Sequence, residues 1–286
     1  MEFDLRQMPK AIGILAKKGS KEILAQASRI HQIVEERGFK PFPDEELARS
    51  ARLSTGKPLR QMDIELLITL GGDGTVLKAA KEMRKSSTPI FAVNMGRRGY
   101  LTEVEPSEFE EKFTRWQNGD FQLEEHWKLS VFHQNRLVGE ALNEALILPN
   151  IPAKMLNLNL SLNGKQVFQA RADGIIVSTP TGSTAHSFSA GGPVLETSMD
   201  SVSLTLIAPL LPVKSIIVPV KASPQLRVSE PGPSASLVID GHLEREVKIG
   251  QSLSFKKSRS STFFVRFGDS FLQRSFRRLS SERENG

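Results

Sequence analysis

Residues Glu65–Thr75 read ELLITLGGDGT, and how this stretch is read decides the fold. Glu65–Leu70 is a short apolar run of the kind that forms a strand buried on both faces. It passes directly into Gly71-Gly72-Asp73-Gly74-Thr75, and a helical pattern runs from Val76 to about Lys85. Glycines between a buried strand and a helix start permit positive φ and let the backbone approach a ligand closely. A helix N-terminus offers free N–H groups and partial positive charge, which suits phosphate. The loop lacks the Lys-Ser/Thr ending of a P-loop, and it is not G-x-G-x-x-G. Its distinguishing residue is Asp73. A carboxylate beside phosphates is repulsive unless it binds a cation or takes a proton, and both serve phosphoryl transfer to a hydroxyl. The plainer alternative is a tight turn in which Asp73 caps the next helix.

Outward from this loop, the first third alternates strand and helix patterns. Ala11–Ala16 reads as a buried strand, and residues 21–37 carry Ile23, Leu24, Ala27, Ile30 and Ile33 at helical spacing before a C-cap glycine, Gly38. Residues 41–62 are polar and poorly periodic, Pro89–Asn94 is a third strand before a glycine turn at Gly96–Gly99, and Ser107–Asn118 suits another helix. This order predicts an α/β, Rossmann-like parallel sheet. After Asp120 strand-like runs follow one another: Lys128–His133, Glu140–Leu148, Asn157–Leu162, Gly174–Ser178, Ser203–Ile207, Ser236–Ile239 and Phe263–Phe267. They predict a mostly β domain with sheet-on-sheet packing. The expected division is an α/β domain over residues 1–120 and a β-rich domain over 121–267. Residues 268–286, with Phe271, Leu272, Phe276 and Leu279, form an amphipathic segment that returns to the first.

Composition narrows the function. With 286 residues, 39% hydrophobic, the chain can bury one large core or two smaller ones. No apolar run approaches the ~20 residues of a membrane-spanning helix. The opening MEFDLRQMPK carries acids and no apolar core of a secretion signal, so a cytoplasmic protein is expected. The absence of cysteine excludes disulfides, thiolate metal sites and cysteine nucleophiles. The net charge of +6 is concentrated at the end: from Lys256 onward eight basic residues face Asp269, Glu282 and Glu284. A balanced body with a basic end suits an enzyme for anionic nucleotides, and a solvated tail explains it equally. Aromatics, at 7%, are not interleaved with the basic residues as base stacking would need, so no nucleic-acid partner is expected. His31, His126, His133, His186 and His242 show no ligand spacing, and no resident metal site is expected.

Two further segments carry chemistry. Residues 171–193, RADGIIVSTPTGSTAHSFSAGGP, run from a strand at Gly174–Val177 into a loop dense in hydroxyls: Ser178, Thr179, Thr181, Ser183 and Thr184. Many neutral donors and acceptors with few charges suit adenine, ribose and carboxamide edges; the bland alternative is a flexible linker. In GEALNEALIL, Asn143 and Glu144 sit side by side in an apolar strand, with Leu142, Glu144, Leu146 and Leu148 on one face. Such a pair is costly if buried without partners, and it can hold a ribose diol and a purine edge. An edge strand showing Glu144 to water is the competing explanation.

G-G-D-G-T resembles the signature of a superfamily of NAD kinases, diacylglycerol and sphingosine kinases and, more distantly, phosphofructokinases. G-G-D-G-T, then N-E, then D-G-x-x-x-S-T-P-T-G-S-T-A, then S-A-G-G-P, in this order, resembles the NAD kinases closely, from about Ala11 to Phe276. The resemblance implies an active site between the two domains. It implies phosphorylation of the adenosine ribose 2′-hydroxyl of NAD by ATP or polyphosphate, with Mg²⁺ or another divalent cation arriving with the donor. It also implies a homodimer or homotetramer whose subunits complete one another's NAD sites. Asp73 would be the acid nearest the 2′-hydroxyl, with Gly74 beside it and Leu77 and Tyr100 lining the ligand. Asn143 and Glu144 would hold the ribose, Thr184 the adenine, and Thr181 and Ala185 the same pocket. Arg171 and Asp173 would contact the nicotinamide end from a partner subunit, and Ala208 would line that side. Asp240, in V-I-D-G, matches a further short motif. Two departures stand out. Gly96-Arg97-Arg98-Gly99-Tyr100-Leu101-Thr102 places Arg98 where an apolar residue is usual, and His186 stands where Tyr is frequent. A ring still stacks at 186, with a pH-sensitive contact.

Rival readings are weaker. A lipid kinase would want an apolar tunnel in place of the hydroxyl-rich loop. A hydrolase on Ser183 or Ser187 with His186 lacks a G-x-S-x-G elbow. A non-enzymatic NAD(P) sensor would keep the pocket and could lose the acid, yet Asp73 is present.

Overall fold

The hydrophobic runs of the first third become β1 (Ala11–Ala16), β2 (Lys40–Pro43), β3 (Leu66–Gly71) and β4 (Ile90–Asn94). They pair in parallel in the order β2-β1-β3-β4. Helices α1 (Lys21–Glu36), α2 (Glu45–Ala51), α3 (Asp73–Glu82) and α4 (Phe109–Gln117) connect them. The computed structural model describes residues 11–53, 56–96 and 99–284. Ile12, Ile14, Ile68, Leu70, Phe91 and Val93 pack with Ala27, Ile30 and Val34 of α1 and with Phe109, Phe113 and Trp116 of α4. Each Ile, Leu, Val or Phe side chain among them contributes about 1.5–3 kcal/mol when removed from water. The rings at 109, 113 and 116 stack in succession, with centroids 5.3 and 5.2 Å apart.

Residues 41–62, polar to the eye, hold most of β2 and all of α2. A four-residue edge strand with two prolines gives no period to detect, and Pro is tolerated at a sheet edge. Helix α3 begins at Asp73, three residues before the apolar pattern does. A carboxylate in the first turn suits the positive end of the helix dipole.

The chain leaves the first unit along β5 (Gln122–His133) and continues through β6 (Arg136–Ala141), β7 (Glu144–Pro149), β8 (Leu156–Leu162), β9 (Lys165–Ala172) and β10 (Gly174–Ser178). After the short helix α5 (His186–Ser189) come β11 (Ser201–Ile207), β12 (Ile216–Pro219), β13 (Gln225–Ser229), β14 (Ala235–Ile239) and β15 (His242–Val247). Strand β16 (Ser252–Arg266) carries the chain back, and helix α6 (Phe271–Glu284) follows. The compact units divide at Glu125/His126 and Ser261/Thr262. In the second unit, β12-β11-β10-β7-β14-β15 form an antiparallel sheet. Its Ile147, Ile175, Val177, Leu204 and Leu237 share one core with Leu129, Val131, Leu158, Leu226 and Phe255 of the facing strands. This is sheet-on-sheet packing.

Two details depart from expectation. The run Glu140–Leu148 is not one strand: β6 and β7 break at Leu142-Asn143. Residues from Thr262 onward already belong to the first unit, where Phe264 pairs in parallel with Ile90. Arg266 and Arg274 of the basic end are buried, at 3% and 6% exposure. Among the described residues no helix is long and apolar enough to cross a membrane.

Candidate active site

In the first unit the site is built on the β3–α3 turn. Gly71, Gly72 and Gly74 all avoid positive φ, so the glycines do not serve the backbone freedom the sequence suggests. Gly71 is required by packing: a Cβ there would lie 2.1 Å from Thr75 Oγ1. Gly74 is exposed, and a Cβ there would meet nothing within 4 Å. Neither backbone nor packing demands glycine at 74, and its bareness leaves the helix end open. Half-buried Asp73 accepts the Tyr100 N–H on Oδ2 and the Leu101 N–H on Oδ1, both at 3.0 Å. Burial pushes its carboxyl above the usual carboxylate range, against the pull of those two amides and of Arg266 and Arg278. Each oxygen keeps a lone pair for a further partner.

Beside this turn lies a cavity of about 370 Å³ lined by Ala16, Lys17, Lys18, Gly72, Gly74, Thr75 and Lys78. Three ammonium groups around a helix N-terminus can neutralise phosphate. The sequence reading missed these lysines; the available signal was Lys17-Lys18 directly after β1 and Lys78 one helical turn beyond Gly74. Leu77 and Tyr100 are half-buried. Arg97 and Arg98 lie outside the described residues.

In the second unit Asp240 explains the break between β6 and β7. Its carboxylate accepts three consecutive backbone N–H groups: Leu142 at 2.7 Å, Asn143 at 2.9 Å and Glu144 at 3.1 Å. Asp240 and Gly241 form the β14–β15 turn with φ of 45° and 79°. The Asp240 N–H returns to the Glu144 carbonyl at 3.1 Å. Asp240 thus shapes the backbone that presents Asn143 and Glu144. Those two side chains are buried, and Asn143 Oδ1 and Glu144 Oε2 have no hydrogen-bond partner among the described residues. Unsatisfied buried oxygens are costly unless a ligand meets them. Burial, reinforced by the Asp240 charge, pushes Glu144 up to about 8. At neutral pH it is therefore a carboxylic acid, able to donate.

The hydroxyl-rich loop folds differently from expectation. Ser178 Oγ donates to the Thr179 carbonyl at 2.9 Å, Thr179 Oγ1 to the Leu142 carbonyl at 2.6 Å and Ser183 Oγ to the Pro180 carbonyl at 2.6 Å. Thr181 Oγ1 meets His126 Nδ1 at 2.9 Å, and Thr184 Oγ1 reaches the Thr181 carbonyl at 3.4 Å. These hydroxyls hold the loop's own shape instead of lying open in an array. The Thr179 N–H donates to the Asn143 carbonyl at 2.9 Å. A Cβ on Gly182 would come within 2.2 Å of that same oxygen. The loop therefore rests directly on the Asn143 backbone, bringing Thr181, Thr184, half-buried Ala185 and exposed His186 into its neighbourhood. Arg171, Asp173 and Ala208 are exposed and cluster elsewhere, where the Asp173 N–H donates to the Ile207 carbonyl at 2.9 Å. Strand β10 separates them from Thr179, a span of ~20 Å. One chain does not bring these three to Asn143 and Glu144.

Comparison with known proteins agrees with this architecture. Residues 12–121 match the family described as ATP-NAD kinase N-terminal domain, and residues 142–267 match ATP-NAD kinase C-terminal domain. An NAD kinase of Methanothermobacter thermautotrophicus is 34% identical over 268 residues, 92% of this chain and 94% of that one. The crystal structure of yeast NADH kinase complexed with NADH superposes with a TM-score of 0.85 at 20% identity, over 96% of this chain and 89% of that one. An NAD kinase from Archaeoglobus fulgidus in complex with ATP gives 0.72 at 27% identity, over 95% and 97%.

Proposed function

The chain belongs to the NAD kinase family, and we propose that it transfers the γ-phosphoryl group of ATP to the adenosine ribose 2′-hydroxyl of NAD, with Asp73 as the carboxylate that positions and deprotonates that hydroxyl. The 2′ oxygen bonds to the γ-phosphorus as the bond to the β–γ bridging oxygen breaks. The hydroxyl proton passes to Asp73, and ADP and NADP result. The observation that carries this is a half-buried carboxylate on the first turn of α3, its pKa raised by burial, with one lone pair on each oxygen still open. A raised carboxyl pKa brings a base closer to working pH.

Lys17, Lys18 and Lys78 neutralise the donor's phosphates, and bare Gly74 admits them to the helix end. The divalent cation enters with the triphosphate as part of the substrate; among the described residues no three His, Asp or Glu side chains gather around a metal position. Glu144 donates to, and Asn143 accepts from, the ribose and purine edge through their unsatisfied oxygens. Tyr100 and Leu77 flank the nucleotide, as do Thr181, Thr184, Ala185 and His186. Arg171, Asp173 and Ala208 serve the nicotinamide end of a neighbouring subunit's ligand. Asp240 acts by shaping the backbone at 142–144. A homodimer or homotetramer in the cytoplasm completes the reading, and exposed Leu210, Leu211 and Leu243 of the second unit supply apolar surface for association.

The test is NADP formation from NAD by purified protein with Mg²⁺ and, in parallel, ATP or polyphosphate. NADP with ATP supports the reading, and NADP with polyphosphate alone keeps the kinase but replaces the donor. Saturable NAD binding without NADP from any donor would replace the kinase with a sensor.

A further inference from the structure

The buried end of the basic tail forms a charged cluster that the reaction as described does not use. Arg266, at 3% exposure, donates from Nε to Glu124 Oε2 at 2.6 Å. It lies 3.7 Å from Glu103 and over the Phe264 ring at 4.6 Å. Arg274 of α6 holds the same Glu124 oxygen at 2.5 Å and also donates to the Asp269 carbonyl. Desolvating two guanidinium groups and their carboxylates is expensive, and apolar residues of similar volume often stabilise a fold as well. Folding alone is therefore a weak reason for the cluster.

Its geometry supplies a stronger one. Arg266 Nη1 donates to the Leu101 carbonyl at 2.9 Å, and Leu101 presents its N–H to Asp73 Oδ1 at 3.0 Å. Leu101 is thus held from both sides, by Arg266 on its oxygen and by Asp73 on its nitrogen. The neighbouring Tyr100 N–H takes the other Asp73 oxygen. The two amides that orient the carboxylate belong to a turn that Arg266 anchors.

We propose that Arg266, seated by Glu124, is a positioning residue that fixes the aim of Asp73 by holding the backbone of Leu101. This rests on the reading of Asp73 as the general base of the reaction. Lysine keeps the charge at 266 but has one nitrogen where the guanidinium uses two, so it cannot serve Glu124 and the Leu101 carbonyl in the same way.

The experiment is a double-mutant cycle on the full chain, with kcat and the KM for NAD measured for wild type, Arg266→Lys, Asp73→Asn and the double variant. Misaiming a catalytic group by about 1 Å can lower a rate ~100-fold, so Arg266→Lys is expected to lower kcat about 10- to 100-fold with the KM for NAD little changed. In the Asp73→Asn background the same change is expected to alter kcat by less than about twofold, because residues acting as one unit are not additive. Independent, multiplicative losses, a wild-type kcat in Arg266→Lys, or a loss confined to KM would overturn the proposal. Should Arg266→Lys fail to fold, Glu124→Gln takes its place in the cycle and is read the same way. A wild type without turnover would overturn the kinase reading and this proposal with it, whereas an active wild type with additive losses overturns this proposal alone.

Discussion

Asp73 and Glu144 are both carboxyls raised by burial, and their surroundings separate their roles. Asp73 faces two backbone donors and the positive Arg266 and Arg278, all of which favour its anion. Glu144 faces the negative Asp240, which favours its acid form. Asp73→Asn is expected to cut turnover ~10²–10⁴-fold while NAD still binds, the usual magnitude for a positioned acid or base. Retention of more than about a tenth of the wild-type rate would rule out that role. Titration calorimetry with NAD supplies the binding half, and it matters because one amide donor would then face an Asn NH₂ group. For Glu144 the linkage sign is fixed by a folded pKa of about 8 against 4.5 unfolded. The folded state holds the proton more tightly, so this group's favourable contribution is fully present below pH 4.5 and is lost as pH rises through 8. Glu144→Gln cannot ionise. It is expected to gain thermal stability over wild type at pH 8 and not at pH 4, seen in paired melts. NAD affinity of the wild type should fall above pH 8 while that of the variant stays level.

At the scale of elements, the β3–α3 turn separates a glycine required by packing from one that packing leaves open. Gly71→Ala forces a methyl to 2.1 Å from Thr75 Oγ1 and should lower stability by about 1–3 kcal/mol in a denaturant melt. Gly74→Ala meets nothing within 4 Å and should leave the melt unchanged while raising the KM for the phosphoryl donor. A fall in stability at 74 equal to that at 71 would remove the argument for phosphate approach. The turn itself was legible because a buried strand, a glycine cluster and a helical period are all local signals. The break at Leu142-Asn143 was not. Its cause, Asp240, lies almost a hundred residues away, and the side chains of Leu142, Asn143 and Glu144 give no sign that their three amides point at a distant carboxylate. The same holds for the hydroxyl loop: composition announced many donors, and only the fold shows them turned inward onto Leu142, Thr179, Pro180 and Thr181.

At the scale of the whole molecule, the C-terminal helix belongs with the first unit. Phe271 is fully buried, and Arg274 seats Glu124. A chain ending at Gly268 is expected to melt at lower temperature by a transition assigned to the first unit, followed by tryptophan fluorescence of Trp116, while Trp127 reports the second. An unchanged melt would mean that α6 is a tail and not part of the core. The basic end, ambiguous as composition, resolves in the same way. Buried Arg266 and Arg274 both pair with half-buried Glu124, and Arg277 pairs with Asp269 at 2.7 Å.

By itself the sequence determined the strand–helix alternation, the change to a strand-only pattern after Asp120, and the positions of the Asp73 loop, the Asn143-Glu144 pair and the 171–193 segment. Each of these is written in neighbouring residues, because period and turn chemistry are set by the local backbone. Only the tertiary structure decided that Asp240 serves the backbone of residues 142–144, that the loop hydroxyls face inward, that three lysines converge near Gly74, and that Arg266 holds the carbonyl of Leu101, the residue whose N–H meets Asp73. These depend on which strands lie side by side. A buried polar group takes whatever partner the packing brings within 3 Å, and the chain between the two partners carries no record of that choice.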